Sequence, residues 1–231
     1  MKHPPALSKA LAALKPPAII AVSGYGGAGK STVAQRLGEY LGCPVIGVDA
    51  FFKDRDRFEG DGWDCIDFAR LAREVLQPFV NGERVIPYGH FDWGQNTIVP
   101  RTLTADAILI VEGVGLFRPA LKPYFALTIW VDCEIEEATR RGITRDRDVY
   151  HSPQDENWHG AWRHHDVTYA ARYHPREAAD FIIDNNAPRG IPGKHLVQFA
   201  CMIEPEDLAQ MRQAIACDCE RIDSDEVKDT K

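Results

Sequence analysis

The sequence predicts an α/β protein built on a doubly wound, five-stranded parallel sheet, and three observations predict it. Five short runs, residues 18–23, 45–48, 107–111, 125–131 and 181–183, are apolar or nearly so, as strands covered on both faces must be. Helix-sized stretches separate most of them, the alternation expected of right-handed crossovers in a parallel sheet. The first run leads directly into a glycine-rich loop and then an amphipathic helix, which places that loop at the carboxyl edge of the sheet, where such folds bind ligands.

Taken in order, residues 6–15 read as a short leading helix that Pro16-Pro17 ends. Ala18 to Ser23 is the first strand. Beyond the loop, Val33, Ala34, Leu37 and Leu41 recur on one helical face, and Gly42 closes that helix. Val45 to Val48 is the second strand and ends at Asp49; Phe51-Phe52 and a charged, glycine-containing loop from Lys53 to Gly62 follow. Asp67 is placed to N-cap a helix with the apolar face Phe68, Leu71, Ala72, Val75, Leu76 and Phe79, which Pro78 must kink or end. Val85 to Trp93 is extended and aromatic, a candidate hairpin beside the main sheet. Ala107 to Val111 ends at Glu112, and Phe125 to Val131 ends at Asp132. A helix from about Glu134 to Arg145 carries Glu136–Arg140 and Glu137–Arg141 at favourable i,i+4 spacing. A polar, irregular stretch from Arg145 to Asn157 separates it from a helix over about Glu156 to Tyr173, and Phe181 to Ile183 is the last strand. The expected organisation is a lead-in over 1–17, a domain over 18–187 with a lid at about 145–157, and an extension over 188–231, with a strand at His195–Met202 and a helix at Pro205–Cys217.

A chain of 231 residues suits one α/β domain with modest additions. The formal charge of −7 argues against general nucleic-acid binding, which needs a basic surface. Six scattered cysteines without C-x-x-C spacing point to a reducing cytoplasm rather than a disulfide scaffold. Neither a signal peptide nor a membrane span is expected: the run Ala10 to Leu14 is too short, and the next apolar stretch has strand length. The sequence leaves a homo-oligomer open.

Gly24, Gly29, Lys30 and Ser31 satisfy the phosphate-loop pattern G-x-x-x-x-G-K-[ST]. Glycines let the backbone curl its N–H groups inward, and the following helix adds the positive end of its dipole. Gly24, Gly26, Gly27, Ala28, Gly29, Lys30, Ser31 and Thr32 are therefore the expected ATP-binding set, with Arg147 beside them. Lys30 is expected on the outer phosphates, and Ser31 with Glu112 on Mg²⁺; a helix cap is the alternative for Glu112. Asp49, at the next strand end, is placed to orient an attacking hydroxyl, with a cap for Phe51-Phe52-Lys53 as its alternative. Arg145 and Arg147 are the better candidates to close over the transition state; for Arg140 and Arg141 pairing with Glu136 and Glu137 is at least as good an account. His159, His164 and His165 do not share a helix face and read as solvated surface, whereas His90 sits among aromatics near the expected acceptor pocket.

On these residues the chain resembles the uridine kinase family, within the group that includes phosphoribulokinase, pantothenate kinase and nicotinamide riboside kinase. Ile19 to Thr32 looks like that group's phosphate loop, Asp49-Ala-Phe-Phe52 is similar to its Asp-x-Phe-Tyr motif, and Val111-Glu112-Gly113 to its Glu-Gly motif. Phe91-Asp92-Trp93 is similar to its Tyr-Asp-Phe segment, Arg140-Arg141 and Arg145-Asp146 to the start of its lid, and Ala179 to Ile183 to its last core strand. The resemblance implies the P-loop nucleoside triphosphate hydrolase fold, with a small lid and an acceptor-side hairpin. It implies Mg-ATP as donor, a small-molecule hydroxyl as acceptor, catalytic roles for Asp49, Lys30, Arg145 and Arg141, and an acceptor pocket of Asp49, Phe52, Asp64, His90, Phe91, Asp92 and Trp93; Asp67 is the alternative to Asp64. Gly94-Gln95-Asn96 stands where the family carries histidine-serine-arginine, so its pyrimidine contacts do not carry over. A nucleoside is the first expectation for the acceptor; a sugar or a vitamin precursor is the alternative, as is a binding protein without transfer. A switch GTPase would need N-K-x-D, which is absent.

Overall fold

A computed structural model describes residues 7–54 and 60–186. Helix α1 (Leu7–Ala12) leads into β1 (Ala18–Gly24), then α2 (Lys30–Leu41), β2 (Val45–Gly47) and a 3₁₀ turn at Val48–Phe51. Helix α3 (Phe68–Leu71) continues through a π-helical turn at Ala72–Leu76 into α4 (Gln77–Val80). Pro78 cannot donate to the preceding turn, and the wider π turn just before it absorbs that loss, so the helix continues to Val80 rather than stopping.

The hairpin is β3 (Val85–Asp92) paired antiparallel with β4 (Thr97–Thr104). Sequence patterning missed its second strand because Thr97–Thr104 is largely exposed, contains Pro100, and carries Ile98, Val99 and Leu103 out of alternation. Then come β5 (Ile108–Glu112), β6 (Leu127–Asp132), α5 (Ile135–Asp148), α6 (Asp155–His159), α7 (Ala161–Tyr173), α8 (Pro175–Ala178) and β7 (Phe181–Asp184).

The five parallel strands stand in the order β2-β5-β1-β6-β7. β1 is central and buried along its whole length. Its residues alternate between two cores: Ile19 and Ala21 pack with Leu109, Val111 and Trp130 on one face, and Ile20 and Val22 with Ile108, Ile110, Ile129 and Val131 on the other. A strand walled on both sides has no polar face, and so its sequence shows no period.

Three expectations change. The first four residues of the expected lid, Arg145 to Asp148, are the last turn of α5. The single helix expected from Glu156 is two, broken at Gly160. Glu137 takes both Arg140 and Arg141 at 2.7 Å, while Glu136 reaches across to Arg163 on α7, also at 2.7 Å. The expected strand His195–Met202 and helix Pro205–Cys217 lie outside the described residues. Among the described residues no helix is long and apolar enough to cross a membrane.

Candidate active site

The parallel register brings three strand ends to one edge. Val22 of β1 lies beside Glu112 of β5, and Gly47 of β2 lies on the other side of Glu112. The loop after β1 and the turn after β2 therefore flank the same carboxylate.

Backbone geometry shapes the loop. Gly27 and Gly29 have φ of 77° and 97°, a region that favours glycine, and a Cβ on Gly27 would fall 2.0 Å from the carbonyl oxygen of Ala138. Ala28 is fully buried, its N–H donates to Tyr25 O at 3.0 Å, and its carbonyl accepts from Asn185 Nδ2 at 2.7 Å. Gly24 closes β1 so near β6 that a Cβ would meet Val131 O at 2.6 Å.

Lys30 opens α2 and is only 8% exposed, and its Nζ donates to Tyr25 O at 2.8 Å. Burial lowers the ammonium pKa, while Glu112, Asp166 and Asp49 pull it back. The Ser31 hydroxyl lies 3.3 Å from each oxygen of Glu112. Thr32 is exposed on the next position. Crowding by surrounding protein raises the Glu112 pKa, with Lys30 opposing.

Asp49 sits in the first turn of the 3₁₀ segment after β2, where no side-chain bond caps the turn. Its carboxylate reaches solvent but is hemmed in by protein atoms, which raise its pKa; Lys30 and Arg145 oppose the rise. Both cations thus act on this acid. Arg145 holds Asp146 at 2.7 Å and packs over Tyr150 and Trp158. Arg141 is committed elsewhere: it is buried, bonded to Glu137 at 2.7 Å and to the carbonyl of Asn185 at 2.9 Å. Arg147 pairs with Asp155 at 2.7 Å and bridges α5 to α6.

The acceptor-side residues divide. Trp93 is 38% exposed, with its ring 4.6 Å from Phe52 and 5.1 Å from Phe91. Phe52 and Phe91 are core residues; Phe91 is 1% exposed and supports the cluster from behind. Asp92 accepts from Gln95 N–H at 2.9 Å and so fixes the hairpin turn. His90 keeps Nδ1 buried with no hydrogen-bond partner among the described residues. Of the two alternative aspartates, Asp67 caps α3 by accepting from Arg70 N–H at 2.9 Å. Asp64 pairs with Arg118 at 2.7 Å and lies 3.7 Å from Arg172.

No protein-family model matches the chain. It is 27% identical over 140 residues to a uridine kinase of Chlamydia pneumoniae, covering 55% of this chain and 63% of that protein. It is 28% identical over 128 residues to a cytidylate kinase of Pyrobaculum aerophilum, covering 55% and 60%. The chain therefore spans less than two thirds of the length of the curated relatives it matches. A solved structure from Bacillus stearothermophilus, described as a possible uridine kinase, superposes with a TM-score of 0.55 at 19% identity, covering 76% of this chain and 94% of that one.

The fold is that of the P-loop kinases.

Two residues at the P-loop and its neighbour escaped the sequence reading. Asp166 on α7 is 4% exposed, and its Oδ2 accepts the Gly26 N–H at 2.8 Å. Arg70 is buried beneath the Asp49 turn and donates to the carbonyls of Ala50, Phe52 and Gly89. His165, expected at the surface, is buried and accepts from Trp63 N–H at 3.3 Å, whereas His164 is exposed and lies 3.1 Å from Asp61. α7 shows no apolar helical period because its buried residues include polar groups that bond inward: His165 and Asp166 to Trp63, Asp166 also to Gly26, and Tyr169 to Phe117. The one available signal was an acid beside two histidines inside a helix, which sequence alone reads as solvated.

Proposed function

We propose that the chain is an ATP-dependent kinase that moves the γ-phosphoryl group to a hydroxyl of a small metabolite, with a nucleoside first among acceptors. The observation that carries this is the meeting of Lys30, Ser31, Glu112 and Asp49 at one sheet edge, with Lys30 and Arg145 both acting on the Asp49 carboxylate. Likeness to a uridine kinase supports the nucleoside.

The P-loop amides and Lys30 hold the donor phosphates. The Asp49 carboxylate accepts a hydrogen bond from the acceptor hydroxyl, directs its oxygen at the γ-phosphorus and takes the proton as the bond from phosphorus to the ADP oxygen breaks. Arg145 faces the charge that spreads over the transferring group. The hydroxyl and carboxylate of Ser31 and Glu112 are the hard oxygen donors that suit Mg²⁺; that ion would neutralise phosphate charge there. Trp93 offers an exposed ring for a planar base, and His90 Nδ1 a buried polar atom for an acceptor hydroxyl.

Incubation with Mg-ATP and pooled metabolites, followed by mass spectrometry, tests this. One pool gains a phosphate, and Lys30→Ala abolishes the gain. Tight ATP binding with no phosphorylated product in any pool would show a binding protein instead.

A further inference from the structure

Asp166 places a negative charge inside a loop built to receive anions. Both of its oxygens are engaged there: Oδ2 accepts Gly26 N–H, and Oδ1 accepts the indole N–H of Trp63, each at 2.8 Å. Lys30 lies within electrostatic reach and favours the ionised carboxylate, while burial opposes it. The same loop glycine is walled by Trp158: a Cβ on Gly26 would come 3.0 Å from that ring and 3.4 Å from Asp166 Oδ2. A phosphate entering this loop meets the carboxylate at close range, in a water-poor setting where repulsion between like charges is weakly screened. The carboxylate also ties two parts of the protein together. Gly26 belongs to the donor loop, whereas Trp63 belongs to the segment that pairs with Phe52 through Ile66.

We propose that Asp166 is a tethered anion that competes with the donor's phosphates for the P-loop, so that nucleotide binding draws the carboxylate off Gly26 and releases Trp63 with it. This rests on the reading that Gly24 to Ser31 binds a nucleoside triphosphate. It gives α7 a function: donor binding loosens a hydrogen bond to the acceptor-side segment, so the two halves of the site sense one another.

The test uses the full chain and inorganic tripolyphosphate, followed by calorimetry. Asp166→Asn keeps the shape and removes the charge; it is expected to bind tripolyphosphate at least tenfold more tightly than the wild type, with adenosine affinity unchanged. Equal or weaker binding by the folded variant overturns the proposal and leaves the loop's assignment standing. Absence of tripolyphosphate binding by both proteins overturns both. A second measurement follows the wild type by NMR. The indole N–H resonance of Trp63, assigned with Trp63→Phe, is expected to lose its hydrogen-bonded shift as tripolyphosphate saturates; an unmoved resonance at saturation also overturns the proposal.

Discussion

The hydroxyl of Ser31 stands equidistant, at 3.3 Å, from the two carboxylate oxygens of Glu112. The residues are 81 apart in sequence and meet because β1 and β5 are adjacent and parallel. The separation exceeds the usual 2.7–2.8 Å of a hydroxyl–oxygen bond, so the hydroxyl is shared rather than locked, and three oxygens converge on one point at the mouth of the loop. Glu112→Gln removes one negative charge from that point. It is expected to cut the Mg²⁺-dependent part of ATP-analogue affinity about tenfold and to leave affinity in chelator unchanged. Calorimetry with and without Mg²⁺ separates the two; an equal loss in both conditions would make Glu112 a structural acid.

Asp49 is more demanding, because it must act on the acceptor without holding the donor. Asp49→Asn is expected to lower turnover by roughly 10²–10⁴-fold, the range for losing a positioned base, while the dissociation constant for an ATP analogue changes less than threefold. Parallel loss of turnover and nucleotide affinity would remove the role assigned to it.

Arg70 holds the frame in which Asp49 works. Its guanidinium serves the carbonyls on either side of Phe51 and that of Gly89, next to His90, and it packs 5.0 Å over the Phe51 ring. Arg70→Met fills the space but leaves buried carbonyls without their donor, a loss of about 3 kcal/mol. For a domain of this size that lowers Tm by roughly 6–12 °C. A thermal melt checks it, and a Tm within 2 °C of wild type would show that water replaces the guanidinium.

The sheet was legible because a short apolar run without period fits little besides a strand buried on both faces, and the donor loop because glycine, lysine and serine spacing is set by backbone geometry. Asp49 and Glu112 followed from their positions at strand ends. Arg70 and Asp166 were not legible for a common reason. Each is a charged residue buried by partners distant in sequence, Gly89 for one and Gly26 for the other, and local pattern assigns a charged residue to the surface. Arg141 takes the Glu137 partner that helical spacing offered it, whereas the Asp155 partner of Arg147 lies on the next helix, beyond the reach of local pattern. Phe91, placed at the pocket by its motif, is 1% exposed and packs behind Phe52 and Trp93.

Asp166 also makes a prediction about stability and pH. Burial raises its carboxyl from the ordinary 3.8 to about 6. Between those values the folded protein holds a proton that the unfolded chain has released, so stability falls as pH rises through this window and the full cost of the buried charge is felt above about 6. The gap corresponds to at most roughly 3 kcal/mol. Asp166→Asn cannot ionise. Whatever it loses in hydrogen bonding to Gly26 and Trp63 is the same at every pH, whereas the ionisation cost disappears. The difference in unfolding free energy, variant minus wild type, is therefore expected to climb in the variant's favour from pH 4.5 to pH 7.5. Asp49 and Glu112, whose pKa values are also raised, are present in both proteins and largely cancel in that difference. Denaturant titrations at four pH values measure it, and a difference that stays flat across the window would mean that Asp166 sits in the fold at its ordinary pKa.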